Sequence, residues 1–406
     1  MKDHSQWQRA ILDAVRLVGT PCYVAAAAPL RENLERLEHA LRGLPVRHFL
    51  SAKTQPVRAL FELWNEWGRD IEVVSEYEFA AALDVGFIPD RILVNGVAKH
   101  SWLPKHQLRK LRVHFDSLRE VEELAAQAAA LDWHVGLRFN LPRTLECDPD
   151  NPQFGTQFGI DVAEARLALR FLHSAGVEVQ GIQCHIGTDL RRAELYERSV
   201  RWLIEQCHLL SFRPKYIDLG GGLPLAHHCS PNRFDLDLFR QAVKLTSELA
   251  PSITEIWLEN GRYLSGTAAV LVVSITDRKQ REDITYLICD GGRTNHALVS
   301  DWEEHPVHVI PQRVGAVGLT TICGPTCMAF DHLGRFQLPT LDVGDLIVWE
   351  DAGAYHIPWE TRFSHGTCSV VWCDEDWEPW VCRLRESPRE WWGQWQTRGS
   401  GSNRRS

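Results

Sequence analysis

Residues 46–94, VRHFLSAKTQPVRALFELWNEWGRDIEVVSEYEFAAALDVGFIPDRILV, decide how the chain folds. Three short apolar runs, Val46–Leu50, Ile71–Val74 and Ile92–Val94, are separated by residues 57–68 and 75–85, where apolar side chains recur at helical spacing. The pattern continues outward. Leu111–Phe115, Val135–Phe139, Val179–Cys184, Tyr216–Leu219 and Ile256–Glu259 are further strand candidates, with helical stretches at 117–131 and 161–175. Strands alternating with helices through this region predict a (β/α)8 barrel over residues 29–267. A doubly wound sheet is the alternative, and it needs fewer strands.

After residue 268 the pattern changes. Ala268–Thr276, Asp283–Cys289, Val307–Pro311, Leu319–Cys323, Asp345–Trp349 and Cys368–Trp372 read as strands without long helices between them. They predict an all-β domain over residues 268–396. Thr20–Ala26 is also strand-like, so residues 1–28 form an N-terminal segment whose strand is expected to pair with that domain. The polar stretch TRGSGSNRRS at 397–406 is expected to be a disordered tail.

Composition excludes several classes. Of 406 residues, 44% are hydrophobic and 24% charged, which is enough for a large core. A net charge of -9 argues against a nucleic-acid binder. No apolar run reaches the roughly 20 residues of a membrane span, and MKDHSQWQRA lacks the apolar core of a signal peptide. Eleven cysteines without a CxxC pair read as reduced thiols, hence a cytoplasmic protein. No ligand cluster has the spacing of a zinc site, so no metal is expected.

Several strand ends carry chemistry. His48-Phe49-Leu50-Ser51-Ala52-Lys53 sets a lysine just past a strand, at the barrel end where active sites lie. A desolvated amine there attacks carbonyls; otherwise the lysine merely snorkels. Asp218-Leu219-Gly220-Gly221-Gly222-Leu223-Pro224 reads as an anion-binding backbone nest or as a plain glycine turn. Leu258-Glu259-Asn260-Gly261-Arg262-Tyr263 supplies a carboxylate and a guanidinium suited to phosphate, or a surface ion pair. His185 ends another strand, in Gly181–Thr188, where a structural histidine is the plain alternative. Cys327, in Cys323-Gly324-Pro325-Thr326-Cys327-Met328-Ala329-Phe330-Asp331, is either an acid or a buried thiol.

Taken in order, these segments resemble the pyridoxal-phosphate (PLP)-dependent decarboxylases of the diaminopimelate/ornithine decarboxylase family, with the alanine-racemase-like fold type III. The resemblance runs from about Thr20 to Gly366 and takes in Asp290-Gly291-Gly292, Gly344-Asp345, Asp351–Tyr355, Ser75–Glu78 and Arg138. It implies a Schiff-base role for Lys53, ring stacking for His185, and pairing of Glu259 with the pyridine nitrogen. Phosphate contacts fall to Gly221, Gly222, Gly261, Arg262, Tyr355 and Thr188. Glu72 and Arg138 complete the cofactor set. The resemblance also makes Cys327 the proton donor after CO2 leaves, contributed by the partner subunit of a homodimer. Asp290, Cys327, Met328 and Tyr355 then contact substrate.

Three departures matter. Asn260 stands where the family has proline, which is expected to leave the turn freer. Gln157 stands where a lysine is common, a lysine that in the family pairs across the interface with the aspartate matching Asp331. Met328 replaces an acidic residue that binds the distal ammonium of ornithine and diaminopimelate. The expected activity is therefore decarboxylation of another amino acid, or of an amino-acid conjugate as in siderophore or antibiotic biosynthesis. Racemisation is the second reading, and a catalytically dead homologue that regulates a partner protein is the third.

Overall fold

The computed structural model describes residues 4–142, 145, 157–296 and 303–395. The chain divides into two compact units, Pro29–Gly266, and Met1–Ala28 together with Thr267–Ser406. β1 (Cys22–Ala26) belongs to the second. Strands β2 (Val46–Ser51), β3 (Asp70–Val73), β4 (Ile92–Val94), β5 (Arg112–Phe115), β6 (His134–Arg138), β7 (Val179–Gln183), β8 (Tyr216–Asp218) and β9 (Glu255–Asn260) form the first.

β2 to β9 close a barrel in sequence order, all pairs parallel, and β9 returns to β2 from Val46↔Ile256 to Leu50↔Asn260. Closure excludes the doubly wound sheet. Helices start where the sequence supplies caps: Ser75 accepts from Glu78 N, Ser117 from Glu120 N, and Asp161 builds a full capping box with Glu164. Their apolar stripes, such as Val121, Leu124, Ala125 and Ala128, are buried.

The barrel interior holds an aromatic layer. Tyr216 and Trp257 stack with ring centroids 3.6 Å apart, and the Tyr216 hydroxyl lies 3.0 Å from His114 Nε2. Gly136 and Gly181 face this layer, where any Cβ would strike the Tyr216 side chain. Packing at the barrel axis thus fixes the floor of its mouth.

The second unit is a nine-stranded sheet. It comprises β1 with β10 (Ala269–Arg281), β11 (Ile284–Cys289), β12 (Val307–Ile310), β13 (Val317–Cys323), β14 (His332–Pro339), β15 (Leu346–Trp349), β16 (Ser369–Cys373) and β17 (Pro379–Arg383). β1 lies between antiparallel β10 and parallel β16. Helix His4–Val18 covers this part of the sheet, burying Trp7, Ala10, Ile11 and Ala14 against Val24, Val272, Val348 and Val371. That helix, β14, β17 and helix Pro388–Gly393 went unread in the sequence. The expected tail at 397–406 lies outside the described residues.

Candidate active site

In the barrel, Lys53, Glu72, Arg138, His185, Thr188, Gly221, Gly222, Glu259, Gly261 and Arg262 all fall at or just past the C-terminal ends of strands. Lys53 follows β2 in a short 3-10 turn, and its side chain is 42% exposed. Its Nζ lies 3.4 Å from Oε2 of the fully buried Glu72, which also accepts from Ser51 Oγ at 2.5 Å. Glu78 caps this corner by accepting from Val74 N at 2.8 Å. Burial pushes its pKa up to about 7, with Glu72 adding to the rise and Lys53 opposing it. Lys99 contrasts with Lys53: it is sealed with Glu120 at 0% exposure for both, so its amine cannot reach a ligand.

Glu259 lies deeper. Asn95 Nδ2 donates to Oε1 at 2.6 Å and Gln183 Nε2 at 3.1 Å. Burial raises its pKa well above the carboxylate range, then Asp218 and Glu72, against Lys53 and Arg138. Asp218 is pushed up to about 7, chiefly by burial. A carboxyl in this setting is stabilised as an anion by a cation brought against it.

His185 Nδ1 faces Gly221 N at 3.4 Å, and burial with Arg138 and Lys53 nearby lowers its pKa to about 3. The ring is neutral, and a neutral ring stacks without an added charge. Gly220 and Gly222 have φ of +66° and +107°. A Cβ at Gly221 or Gly222 would meet the Glu259 or Gly187 carbonyl at 2.5 or 2.6 Å. The run is glycine because crossing backbone leaves no room for anything larger. Arg138 lies 3.3 Å from Asp116 and over the Phe158 ring. Arg262 opens the short helix that follows Gly261. Asn260 is buried and its Nδ2 lies 3.0 Å from His48 Nδ1. The freer turn expected from the loss of proline is therefore not found: a side-chain hydrogen bond between β2 and β9 holds it.

The other candidates lie in the second unit. Cys327 is exposed and Met328 half-buried on the loop between β13 and β14. Asp331 organises that loop from within, accepting from Thr326 N at 2.9 Å, from Thr326 Oγ1 at 2.5 Å and from Arg293 N at 2.8 Å. Gly292 and Gly324 are required beneath it, because a Cβ on either would strike the Asp331 carboxylate. Asp331 is thus engaged within its own unit. Asp290 is also held locally, by Thr20 Oγ1 at 2.6 Å and Ser274 N at 2.8 Å. Tyr355 has φ +69°, a costly conformation for a bulky residue and a mark of functional sites.

Asn95, Gln183, Asp116 and Asp218 are site residues that sequence reasoning did not assign. Asn95-Gly96 after an apolar run, and a lone polar Gln183 at a strand end, were the available signals.

Pyridoxal 5'-phosphate fits the barrel set. An accessible amine suits its aldehyde, a buried carboxyl its protonated ring nitrogen, and a glycine cradle with Arg262 its phosphate. Bound there, it supplies an electron sink for carbanion chemistry.

A fold type III PLP enzyme is what this barrel and site define. Residues 27–266 match the model of the pyridoxal-dependent decarboxylase family, pyridoxal binding domain. The chain belongs to that family, and it is a PLP-dependent amino-acid decarboxylase. It is 26% identical over 397 residues to the lysine/ornithine decarboxylase of Selenomonas ruminantium, covering 95% of this chain and 98% of that relative. It is also 26% identical over 390 residues to the diaminopimelate decarboxylase of Pseudomonas fluorescens, covering 92% of each. Among solved structures, a diaminopimelate decarboxylase from M. jannaschii superposes with a TM-score of 0.83 at 21% identity, over 96% of this chain and 94% of that one. That likeness is one of fold. No helix among the described residues is long and apolar enough to cross a membrane.

Proposed function

We propose that the chain removes the α-carboxylate of an amino acid, or amino-acid conjugate, that lacks a distal ammonium group. It does so as a homodimer in which Asp290, Cys327, Met328 and Tyr355 of one subunit complete the barrel site of the other. Met328 carries this reading. A buried ammonium without a charged or well-bonded partner costs several kcal/mol, and a thioether is a weak acceptor. The matched relatives named for lysine, ornithine or diaminopimelate share the chemistry. At about a quarter identity, substrate choice rests on individual residues such as this one.

In the barrel, Lys53 holds the cofactor covalently, His185 covers its ring, and Glu259 keeps the ring nitrogen protonated. Gly221, Gly222, Gly261, Arg262, Thr188 and Tyr355 bind phosphate, while Glu72 and Arg138 set the charge around Lys53. Cys327 delivers a proton to the α-carbon.

The test is a screen for CO2 release over amino acids and conjugates. Ornithine, lysine and diaminopimelate should fall below a kcat/KM of about 10^4 M⁻¹s⁻¹, the lower end for a well-matched enzyme. Met328→Asp should raise the value for a diamine-type amino acid. Efficient wild-type turnover of ornithine or lysine refutes the substrate assignment, and α-proton exchange without CO2 release favours racemisation. Subunit sharing is tested by mixing inactive Lys53→Ala with inactive Cys327→Ala protein. Activity should return toward a quarter of wild type, and no return from demonstrated heterodimers refutes the sharing.

A further inference from the structure

The second unit gathers four ionisable side chains that the decarboxylase site does not use: His296, Glu303, His305 and His356. Glu303 Oε2 lies 3.0 Å from His305 Nε2 and 3.4 Å from His356 Nε2. One ligand atom from each of these three residues falls within 4.8 Å of the others. His305 and His356 are 7% and 1% exposed.

The outer nitrogens fix how these rings present themselves. His305 Nδ1 lies 2.7 Å from the Glu350 carbonyl oxygen, which can only accept, so Nδ1 carries the hydrogen. In the neutral ring Nε2 then turns a lone pair on the Glu303 carboxylate. Such contact is repulsive unless a proton or a metal ion lies between the two. His356 Nδ1 is 2.8 Å from His296 Nδ1, which leaves its Nε2 toward the same carboxylate oxygen. A proton on His305 Nε2 bridges only that ring to Glu303, while His356, its ring centroid 4.8 Å away, meets the same carboxylate as a neutral ring. Trp349, edge-on to His296 at 5.4 Å, walls the cluster with apolar surface. One divalent ion answers both rings and the carboxylate at once.

We propose that Glu303, His305 and His356 bind one divalent transition-metal ion of the zinc class, with His296 as outer partner. Two imidazole nitrogens and a carboxylate are a borderline donor set that leaves a fourth position open. A ligating histidine whose other N–H donates to a backbone carbonyl is the usual supporting arrangement, and His305 has it. The ion would join the segment 303–305 to the turn that carries Tyr355. No sequence spacing announces the set, because His356 arrives from the loop beyond β15.

The experiment is metal analysis of the PLP-loaded enzyme after dialysis against zinc, with zinc-edge X-ray absorption on the wild type. One ion per chain is expected, with nitrogen and oxygen neighbours and no sulfur. Glu303→Gln and His305→Gln should weaken zinc binding by about 100-fold or more, whereas His296→Gln should cost about 10- to 100-fold, as for an outer partner. Retained cofactor absorbance shows that a variant is folded, and the absorption spectrum needs no variant. Sulfur neighbours, or no ion at about 10 µM free zinc, overturn the proposal. So does binding lost in His114→Gln but kept in His305→Gln, since that places the ion beside Asp218 and Glu259 in the barrel.

Discussion

Asn95 donates its amide to Glu259 at 2.6 Å, from beyond a strand that is not a barrel neighbour of β9. With Gln183 it gives Glu259 two neutral donors, and no Lys or Arg among the described residues forms an ion pair with it. Glu259 is held in place yet remains available to a cationic ring nitrogen.

Replacing Glu259 should separate stability from activity. Its folded pKa lies above the unfolded value of 4.5, so folding loses stability as pH rises above 4.5. Glu259→Gln removes that loss, so the apo variant should gain on the apo wild type between pH 5 and pH 8 in urea denaturation. Its kcat should fall about 30-fold or more, the effect of losing a charge partner worth about 2 kcal/mol. A stability difference that shrinks with pH would contradict the buried, proton-holding state of Glu259.

Asp331 should matter to Cys327 without touching the reacting atoms. Asp331→Ala leaves the Arg293 and Thr326 donors without their acceptor and should cost about 2–3 kcal/mol in urea denaturation. Peptide-resolved alkylation should also show faster Cys327 modification. Unchanged alkylation and stability would show that the loop holds its shape without this carboxylate.

Much of the barrel was legible because its strands are short apolar runs separated by stretches with apolar residues at helical spacing, several of them opened by a capping Ser or Asp. What the sequence hides is convergence. Asn95, Gln183 and Glu259 lie on three strand ends that meet only when β9 closes on β2. Asn260 looked like a loosened turn because its partner, His48, lies on the strand that closure brings beside it. The contacts of Asp331 with Arg293 and Thr326 were hidden in the sequence because only the folded loop brings these groups together. Strand β14, HLGRFQLP, carries too few apolar residues to stand out, as suits a sheet edge. The helix at His4–Val18 is marked in the sequence only by the spacing of Trp7, Ala10, Ile11 and Ala14 among polar neighbours.

His48 predicts an acid limit. Burial, with Arg69 adding, lowers its pKa from 6.5 to about 4. Its contribution to stability is full above pH 6.5 and is lost as pH falls toward 4, by up to about 3 kcal/mol. His48→Gln should flatten that part of the stability–pH curve in urea denaturation. An unchanged slope between pH 6.5 and 4 would show that His48 does not stay neutral in the fold.

Cofactor attachment at Lys53 is tested most directly by borohydride reduction of the PLP-loaded enzyme, followed by peptide mass mapping. The exposed Lys53 amine beside Glu72, set against the sealed Lys99–Glu120 pair, predicts one pyridoxyl group per chain, on Lys53. A pyridoxyl group on Lys99, or none on any lysine of visibly loaded protein, would contradict it.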